Sequence, residues 1–107
     1  MTNSPYVIGH QQPDTDTICS ALAYAHLKRA QGADAVAARA GELNPETQFV
    51  LDRWDVEPPE YLDDASGERL ILVDHNEHGQ AVTGSREAAI IEVVDHHRIG
   101  DIRTDEP

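Results

Sequence analysis

Short apolar runs alternate with longer amphipathic segments along this chain of 107 residues. Four runs predict β-strands, because β-branched and aliphatic residues are concentrated in them and turn-forming residues bound them. These runs are Tyr6–Gly9, Ala35–Arg39, Leu70–Val73 and Ala89–Val94. The run Leu70–Val73 is continuously apolar rather than alternating, which is typical of a strand covered on both faces.

Two segments have helical spacing. The first predicts a helix from a cap at Asp16 or Thr17 to about Gln31, with Gly32 ending it. Its apolar positions are Ile18, Ala21, Leu22, Ala25 and Leu27, and Cys19 is expected on its inner face, as free cysteines are usually buried. The second predicts a helix over about Glu46 to Trp54, with Pro45 in its first turn and Phe49, Val50 and Trp54 as its apolar stripe.

Strands that alternate with helices indicate βαβ units. We therefore expect one α/β domain over residues 1–107, an open, mostly parallel, Rossmann-like sheet with helices on both faces. Residues 81–85 are turn-like, and Arg86 to Ala89 predicts a short helical turn. The tail Asp101 to Pro107 is polar and shows no closing element.

The composition of the chain argues against several classes of function. A net charge of −12, with only eight Lys and Arg, argues against sequence-independent nucleic-acid binding, which needs a basic footprint. No apolar stretch is long enough for a membrane span, and the segment Met1–Pro5 lacks the basic start of a signal peptide. The single cysteine excludes an internal disulfide and a multi-thiolate metal site. A cytoplasmic location is expected.

Metal-binding side chains follow three of the four predicted strands. Ligands in open α/β sheets bind beyond the carboxyl ends of the strands, so these donors should converge in space. Carboxylates and imidazoles without thiolates suit Mn²⁺, Co²⁺ or Mg²⁺ better than a structural zinc. The donors are His10, Asp14 and Asp16 after the first strand, Asp74 and His75 after the third, and Asp95, His96 and His97 after the fourth.

Alternative interpretations exist for several of these residues. Asp14 and Asp16 alone would equally fit solvated carboxylates at a helix start, but the donors elsewhere favour a metal pair beside them. Asp74 follows a buried strand and offers two oxygens that could bridge two metals. Adjacent His96 and His97 point in different directions on extended backbone, so one would ligate a metal and the other meet substrate or orient a neighbour.

The remaining candidates have supporting or no roles. Asp95 is expected to hold an imidazole in its tautomer, and a supporting role for His75 is as plausible as a purely structural one. His26 and His78 have no partners at useful spacing; His26 is expected to be a surface or half-buried residue, and His78 is expected to be solvated in a polar turn. Two metals about 3.5–4 Å apart activate water and stabilise in-line phosphoryl displacement, so these residues favour metal-assisted phosphate hydrolysis.

Three blocks of sequence closely resemble the family II, manganese-dependent inorganic pyrophosphatases of the DHH phosphoesterase superfamily. The blocks are Gly9–Ala21, Val73–Glu77 and Val94–Ile99, and Arg39–Thr47 is also similar. The resemblance covers essentially the whole chain and includes the spacing between blocks. Exopolyphosphatases and oligoribonucleases of the superfamily share Asp95-His96-His97 but usually not the context of Asp74-His75-Asn76.

The resemblance implies a role for each matching residue. His10 and Asp14 would bind one Mn²⁺, Asp16 and His96 a second, and Asp74 would bridge the two. His97 would contact the substrate phosphate and assist proton transfer, and Arg98 lies beside it. The implied reaction is hydrolysis of pyrophosphate to two orthophosphates, in a protein that is commonly a dimer.

Family members are about three times longer and carry a second domain with basic residues that clamp the phosphates. We therefore interpret this sequence as the N-terminal part of such an enzyme, with weak or no activity alone. Two alternatives are a non-catalytic metal-binding or dimerising fragment, and a DHH phosphodiesterase or exopolyphosphatase. Exposed apolar edges of an incomplete sheet predict a homo-oligomer.

Overall fold

A computed structural model describes residues 4–105, and these form five β-strands and two α-helices. In chain order they are β1 (Tyr6–Ile8), α1 (Thr15–Ala30), β2 (Val36–Arg39), α2 (Pro45–Arg53), β3 (Glu60–Tyr61), β4 (Arg69–Val73) and β5 (Ala89–Val94). Short 3₁₀ turns at His78–Gln80 and Ser85–Glu87 lie between β4 and β5. The prediction that the chain lacks a signal peptide was made from Met1–Pro5, of which residues 1–3 lie outside the described residues.

The strands form one parallel sheet in the order β3-β2-β1-β4-β5. The predicted α/β class with a parallel sheet is confirmed. Strand β1 pairs with β2 on one side and with β4 on the other. The chain leaves β1 toward β2 and later leaves β4 toward β5, so the connections diverge between β1 and β4. This is the position where open α/β sheets bind ligands.

The two faces of the sheet are covered differently. Helix α1 packs on one face, where Ala21 and Ala25 contact Val7, Ile71 and Val73. The opposite face carries a second apolar cluster in which Ala65 and Val82, from connecting segments, cover the strands. Within residues 4–105 that face is thus covered by loops and 3₁₀ turns, where the sequence predicted helices on both faces. Residues of β4 alternate between the two clusters, which explains its continuous apolar run.

A β-bulge in β5 decides which side chains enter the core. Leu70 pairs with Ile90, but the next residue, Ile71, pairs with Glu92, so Ile91 is an extra residue. An extra residue reverses the alternation of side chains beyond it. Glu92 therefore faces α1, where Tyr24 and Lys28 bind it, and Val93 packs on the opposite apolar cluster.

Helix α1 differs from its prediction at its start and on its surface. Asp14, and not Asp16 or Thr17, is the N-cap, since its side chain accepts from the Thr17 backbone N–H. The buried face is Thr17, Ile18, Ala21 and Ala25. Cys19 is exposed, because it lies about 100° around the helix from Ile18 and away from the sheet. Leu27 is 47% exposed.

Helix α2 and strand β3 correct two further predictions. Phe49 and Trp54 are 68% and 69% exposed, so the predicted apolar stripe is wrong. Thr47 and Leu51 are the buried residues of α2, and the Thr47 hydroxyl lies 3.0 Å from that of Thr15 in α1. Strand β3 was not predicted, because its two residues are both exposed and carry no apolar pattern.

The tail after β5 folds back onto the sheet without forming a regular element in residues 101–105. Ile102 packs against the cluster on the loop-covered face, and its N–H donates to the Asn76 carbonyl. The Asp105 N–H donates to the Ile90 carbonyl at 2.8 Å. The sequence predicted a polar tail with no closing element, and none forms in residues 101–105, although these residues contact the sheet. Glu106 and Pro107 lie outside the described part.

Candidate metal centre

The carboxyl ends of β1, β4 and β5 open into one cavity of about 540 Å³. Because parallel strands end at the same edge of the sheet, residues separated by more than eighty positions meet there. Six side chains predicted for the site line this cavity: His10, Asp14, Asp16, Asp74, His96 and His97. A second cavity, beside α1, shares Asp16, Asp74 and His96 with the first.

His10 and Asp74 line the first cavity, and the buried Thr17 contacts both of them. The buried Thr17 hydroxyl donates to Asp74 Oδ2 at 2.8 Å, and its oxygen lies 2.8 Å from His10 Nε2. His10 Nε2 and Asp74 Oδ2 lie 3.7 Å apart. The half-buried Asp74 carboxylate is therefore directed at the junction between β1 and α1.

Asp74 occupies an unusual backbone conformation. Its φ is +61°, in the left-handed region, which non-glycine residues enter rarely and Asp and Asn more readily than most. This conformation turns the chain at the end of β4 and leaves one carboxylate oxygen, Oδ1, 3.0 Å from His96 Nε2. Backbone strain of this kind is concentrated at functional sites. Asp74 therefore contacts histidines from both neighbouring strand ends.

His97 is oriented by Asp95. Its Nδ1–H donates to Asp95 Oδ1 at 2.5 Å, which raises the pKa of His97 above 6.5 because the carboxylate stabilises the imidazolium. Burial alone would raise the pKa of Asp95, but hydrogen bonds from His97, Asn76 and the His96 backbone outweigh it and lower that pKa. This arrangement holds Nδ1 and leaves Nε2 of His97 free to face the cavity.

Asn76 connects the segments after β4 and β5. Its Nδ2 donates to Asp95 Oδ2 at 2.5 Å and to the Arg98 carbonyl at 2.9 Å, and its Oδ1 accepts from the Gly100 N–H. The Arg98 backbone is thereby fixed. The exposed Arg98 does not line the first cavity, so the structure does not bring its side chain to the predicted substrate contact.

His75 is buried directly behind the site. Its Nδ1 lies 2.9 Å from the Val73 carbonyl, which identifies Nδ1 as the donor, and its ring packs edge-on against that of His10 with centroids 6.2 Å apart. Its Nε2 has no hydrogen-bond partner. Desolvation lowers the pKa of His75 and thereby keeps it neutral. The geometry thus places His75 against a candidate ligand rather than in the cavity.

Two groups of donors could each hold a metal ion. In each group, one donor atom per residue lies within 4.8 Å of the others. One group is His10, Asp14 and Asp74, and the other is Asp74, Asp95, His96 and His97. Asp74 belongs to both, as its predicted bridging position requires. Asp16 belongs to neither group, although it lines both cavities.

The donor chemistry fits manganese. Both groups combine carboxylate oxygens with imidazole nitrogens and contain no thiolate, and the exposed Cys19 lines neither cavity. Several carboxylates around one cavity repel each other unless a cation lies among them. The described residues of the cavity include no Lys or Arg that would supply this charge. The site therefore fits a pair of divalent cations.

Some predicted features lie elsewhere, and two contributors were missed. His26 is exposed and belongs to neither donor group. His78 is half-buried rather than on the surface, with Nδ1 2.8 Å from the Ser85 hydroxyl. Thr17 and Asn76 were not predicted as site residues. Both sit within the motif blocks, one directly after Asp16 and the other directly after His75, and that position was the available signal.

Comparison with known proteins agrees with the geometry. Residues 5–107 match the sequence profile of the DHH family, N-terminal domain. The chain is 51% identical over 108 residues to the manganese-dependent inorganic pyrophosphatase of Methanothrix thermoacetophila, covering 100% of this chain and 35% of that protein. It is 52% identical over 103 residues to a Bacillus pumilus protein named a probable manganese-dependent inorganic pyrophosphatase, covering 94% of this chain and 33% of that protein.

A solved structure is similar throughout. The crystal structure of a Methanococcus jannaschii protein assigned as a family II inorganic pyrophosphatase superposes with a TM-score of 0.85 at 43% identity. The match covers 96% of this chain and 32% of that one. The chain thus spans about a third of the length of the relatives it matches. None of the helices in residues 4–105 has the length and apolar character needed to cross a bilayer.

Proposed function

Since the chain belongs to the DHH family, as its N-terminal domain, we propose that it holds the manganese centre of an inorganic pyrophosphatase. The observation that carries this proposal is that Asp74 belongs to both donor groups. It contacts His10 in one group and His96 in the other. The names of the relatives supply the substrate class, a pyrophosphate anhydride. The same comparison disfavours a phosphodiesterase acting on nucleotides.

Each ligand has a proposed place. His10 and Asp14 would hold one Mn²⁺, Asp16 and His96 would hold the second, and Asp74 would contribute to both. The first set is supported by its compact geometry, because its donor atoms lie within 4.8 Å. Asp16 is supported by its position on the wall that both cavities share with His96. Bound Mn²⁺ would supply an activated water and would neutralise the phosphoryl oxygens during in-line displacement.

The protein groups around the metals bind the substrate and move its protons. His97 presents Nε2 to the cavity while its Nδ1 is held by Asp95, and in the imidazolium form, which Asp95 favours by raising the pKa of His97, Nε2–H is suited to donate to a phosphate oxygen. Arg98 is proposed as a second phosphate contact and would have to turn toward the cavity. Asp95 fixes His97, and His75 supports the ring of His10.

Manganese binding and phosphate release test this function together. In calorimetry we expect two Mn²⁺ per chain, and with Mn²⁺ present we expect at most slow release of phosphate from pyrophosphate and none of mononucleotide from a dinucleotide. Phosphate release should be lost in Asp74→Asn. Hydrolysis of the dinucleotide in preference to pyrophosphate would favour the phosphodiesterase. Mn²⁺ binding that Asp74→Asn leaves unchanged would favour a non-catalytic metal-binding fragment, and no binding would refute the metal centre.

We further propose that the chain acts in the cytoplasm as a dimer. Support for self-association comes from exposed apolar side chains around β5, where Val94 is 44% and Ile99 90% exposed. Strand β5 is also the last strand of the described sheet, and edge strands readily pair with another chain. Sedimentation at micromolar concentration should give twice the monomer mass. A single species of monomer mass would contradict the dimer.

A further inference from the structure

Thr17 contacts three of the proposed metal ligands at once. Its backbone N–H donates to Asp14 Oδ1 at 2.9 Å, and its hydroxyl donates to Asp74 Oδ2 at 2.8 Å. The hydroxyl oxygen lies 2.8 Å from His10 Nε2. These three residues form the compact donor group at the end of β1. One side chain thus links the end of β1, the start of α1 and the end of β4.

The surroundings of Thr17 keep its hydroxyl in place. The residue is 1% exposed, in the first turn of α1, and its branched side chain has few accessible rotamers. Its methyl group fills the space beside Gly9, where an added Cβ would lie 1.8 Å from Thr17 Cγ2. The hydroxyl is therefore held by a helix and a strand, and water does not compete for it.

We propose that Thr17 is a positioning residue for the metal centre, which fixes the Asp74 carboxylate in the orientation that receives Mn²⁺. This inference rests on the proposed function. Asp74 itself has the left-handed backbone conformation, and without Thr17 its carboxylate would keep only the contact of Oδ1 with His96 Nε2. A hydrogen bond that orients a ligand before binding removes the entropy loss of orienting it from the binding step.

Two matched pairs of variants isolate the hydroxyl. Thr17→Val keeps the shape of the side chain and removes only the hydroxyl, so we expect Mn²⁺ affinity to fall by about 10- to 100-fold, the usual effect of losing an orienting partner. Thr17→Ser keeps the hydroxyl and should bind Mn²⁺ nearly as the wild type does. Thr17→Ala is the partner of Thr17→Ser, since both lack the methyl group. Calorimetry on the metal-free chain gives the affinities, and thermal unfolding without metal checks each fold.

The outcomes separate this inference from the proposed function. If the wild-type chain binds no Mn²⁺, the metal centre itself is wrong. If the wild type binds and Thr17→Val binds equally or more tightly, the hydroxyl merely fills the metal-free site and the positioning role is refuted. Should Thr17→Val fail to fold, the comparison of Thr17→Ser with Thr17→Ala decides in the same way, and equal affinities would refute the role.

Discussion

The side-chain amide of Asn76 donates to Asp95 Oδ2 at 2.5 Å, and this bond is one of three through which Asn76 joins the segment after β4 to the segment after β5. Asp95 in turn orients the His97 ring, because its other oxygen accepts a hydrogen bond from His97 Nδ1. The orientation of the imidazole at the cavity is therefore set by a residue two positions beyond Asp74. A protein group that fixes a histidine tautomer in this way determines which nitrogen faces the substrate.

Replacement of Asp95 by asparagine should lower the pKa of His97. The wild-type carboxylate stabilises the imidazolium, so the pKa of His97 lies above 6.5 and its stabilising contribution is fully present below pH 6.5. That contribution is lost as the pH rises through the raised value. In Asp95→Asn the neutral amide gives no such stabilisation, and the His97 transition should move toward pH 6.5. A titration of the metal-free chain by NMR measures it.

Asp63→Asn, at an exposed carboxylate that lines neither cavity, is the control variant for that titration and should leave the His97 transition unchanged. An unchanged His97 transition in Asp95→Asn would contradict the assigned hydrogen bond.

Replacement of Asp74 by asparagine should remove manganese binding while leaving the fold intact. Asn tolerates the left-handed backbone at this position almost as well as Asp does, so the turn at the end of β4 is kept. The charge shared by both donor groups is lost, and we expect a larger effect than the roughly 10- to 100-fold loss for an orienting residue. Calorimetry measures this affinity. Asp63→Asn, at an exposed carboxylate that lines neither cavity, should bind normally.

Replacement of Gly9 by alanine should destabilise the metal-free chain. The new Cβ would lie 1.8 Å from the Thr17 methyl carbon, and both residues are buried between β1 and α1. Overpacking of this kind costs about 1–3 kcal/mol, and displacement of Thr17 would add to it. Urea unfolding measures the free energy. Gly79→Ala is the matched control, because no atom lies within 4 Å of its added Cβ, and equal losses in the two variants would refute the steric argument.

The stability of the metal-free chain should fall above pH 10 through Tyr24. A hydrogen bond to Glu92, with burial, raises the pKa of Tyr24 from 10.0 to about 12. Between these values the unfolded chain loses the phenolic proton and the folded chain keeps it, so stability declines as the pH rises. Tyr24→Phe should lose this part of the decline. Unfolding in urea at pH 9 and pH 11 measures the difference.

The exposed Tyr61 provides the comparison, and Tyr61→Phe should retain the wild-type decline between pH 9 and pH 11. An identical pH dependence in Tyr24→Phe and wild type would show that the Tyr24–Glu92 bond does not form in solution.

The sequence predicted the parallel sheet because its central strands are apolar runs buried on both faces, and it predicted the donors because they follow those runs. It did not predict β3, whose two exposed residues are held only by pairing with β2. It assigned the cap of α1 to Asp16 or Thr17, since a shift of two residues along a polar segment leaves the pattern unchanged. The structure selects Asp14 through one side-chain hydrogen bond.

The missed positions share a physical cause. Thr47 is buried in α2 because its hydroxyl meets Thr15 of another helix, so the helix turns Phe49 to solvent. Thr17 and Asn76 act through hydrogen bonds to residues 57 and 19 positions away. Such contacts depend on tertiary geometry, and the spacing of residue types along the chain does not encode them directly. The bulge at Ile91 likewise depends on tertiary geometry, because it appears only in the pairing of β5 with β4.

The two donor groups differ in the strands that position them. The first group follows the central strands β1 and β4 and the start of α1, and consists of His10, Asp14 and Asp74. In the second group, His96 and His97 follow β5, which is the last strand in the described order. A fluctuation that separates β5 from β4 would disrupt the donor group that contains His96 and His97. It would leave the group of His10, Asp14 and Asp74 intact. The two metal ions would then leave one after the other, and the ion held at the end of β5 would leave first and bind last.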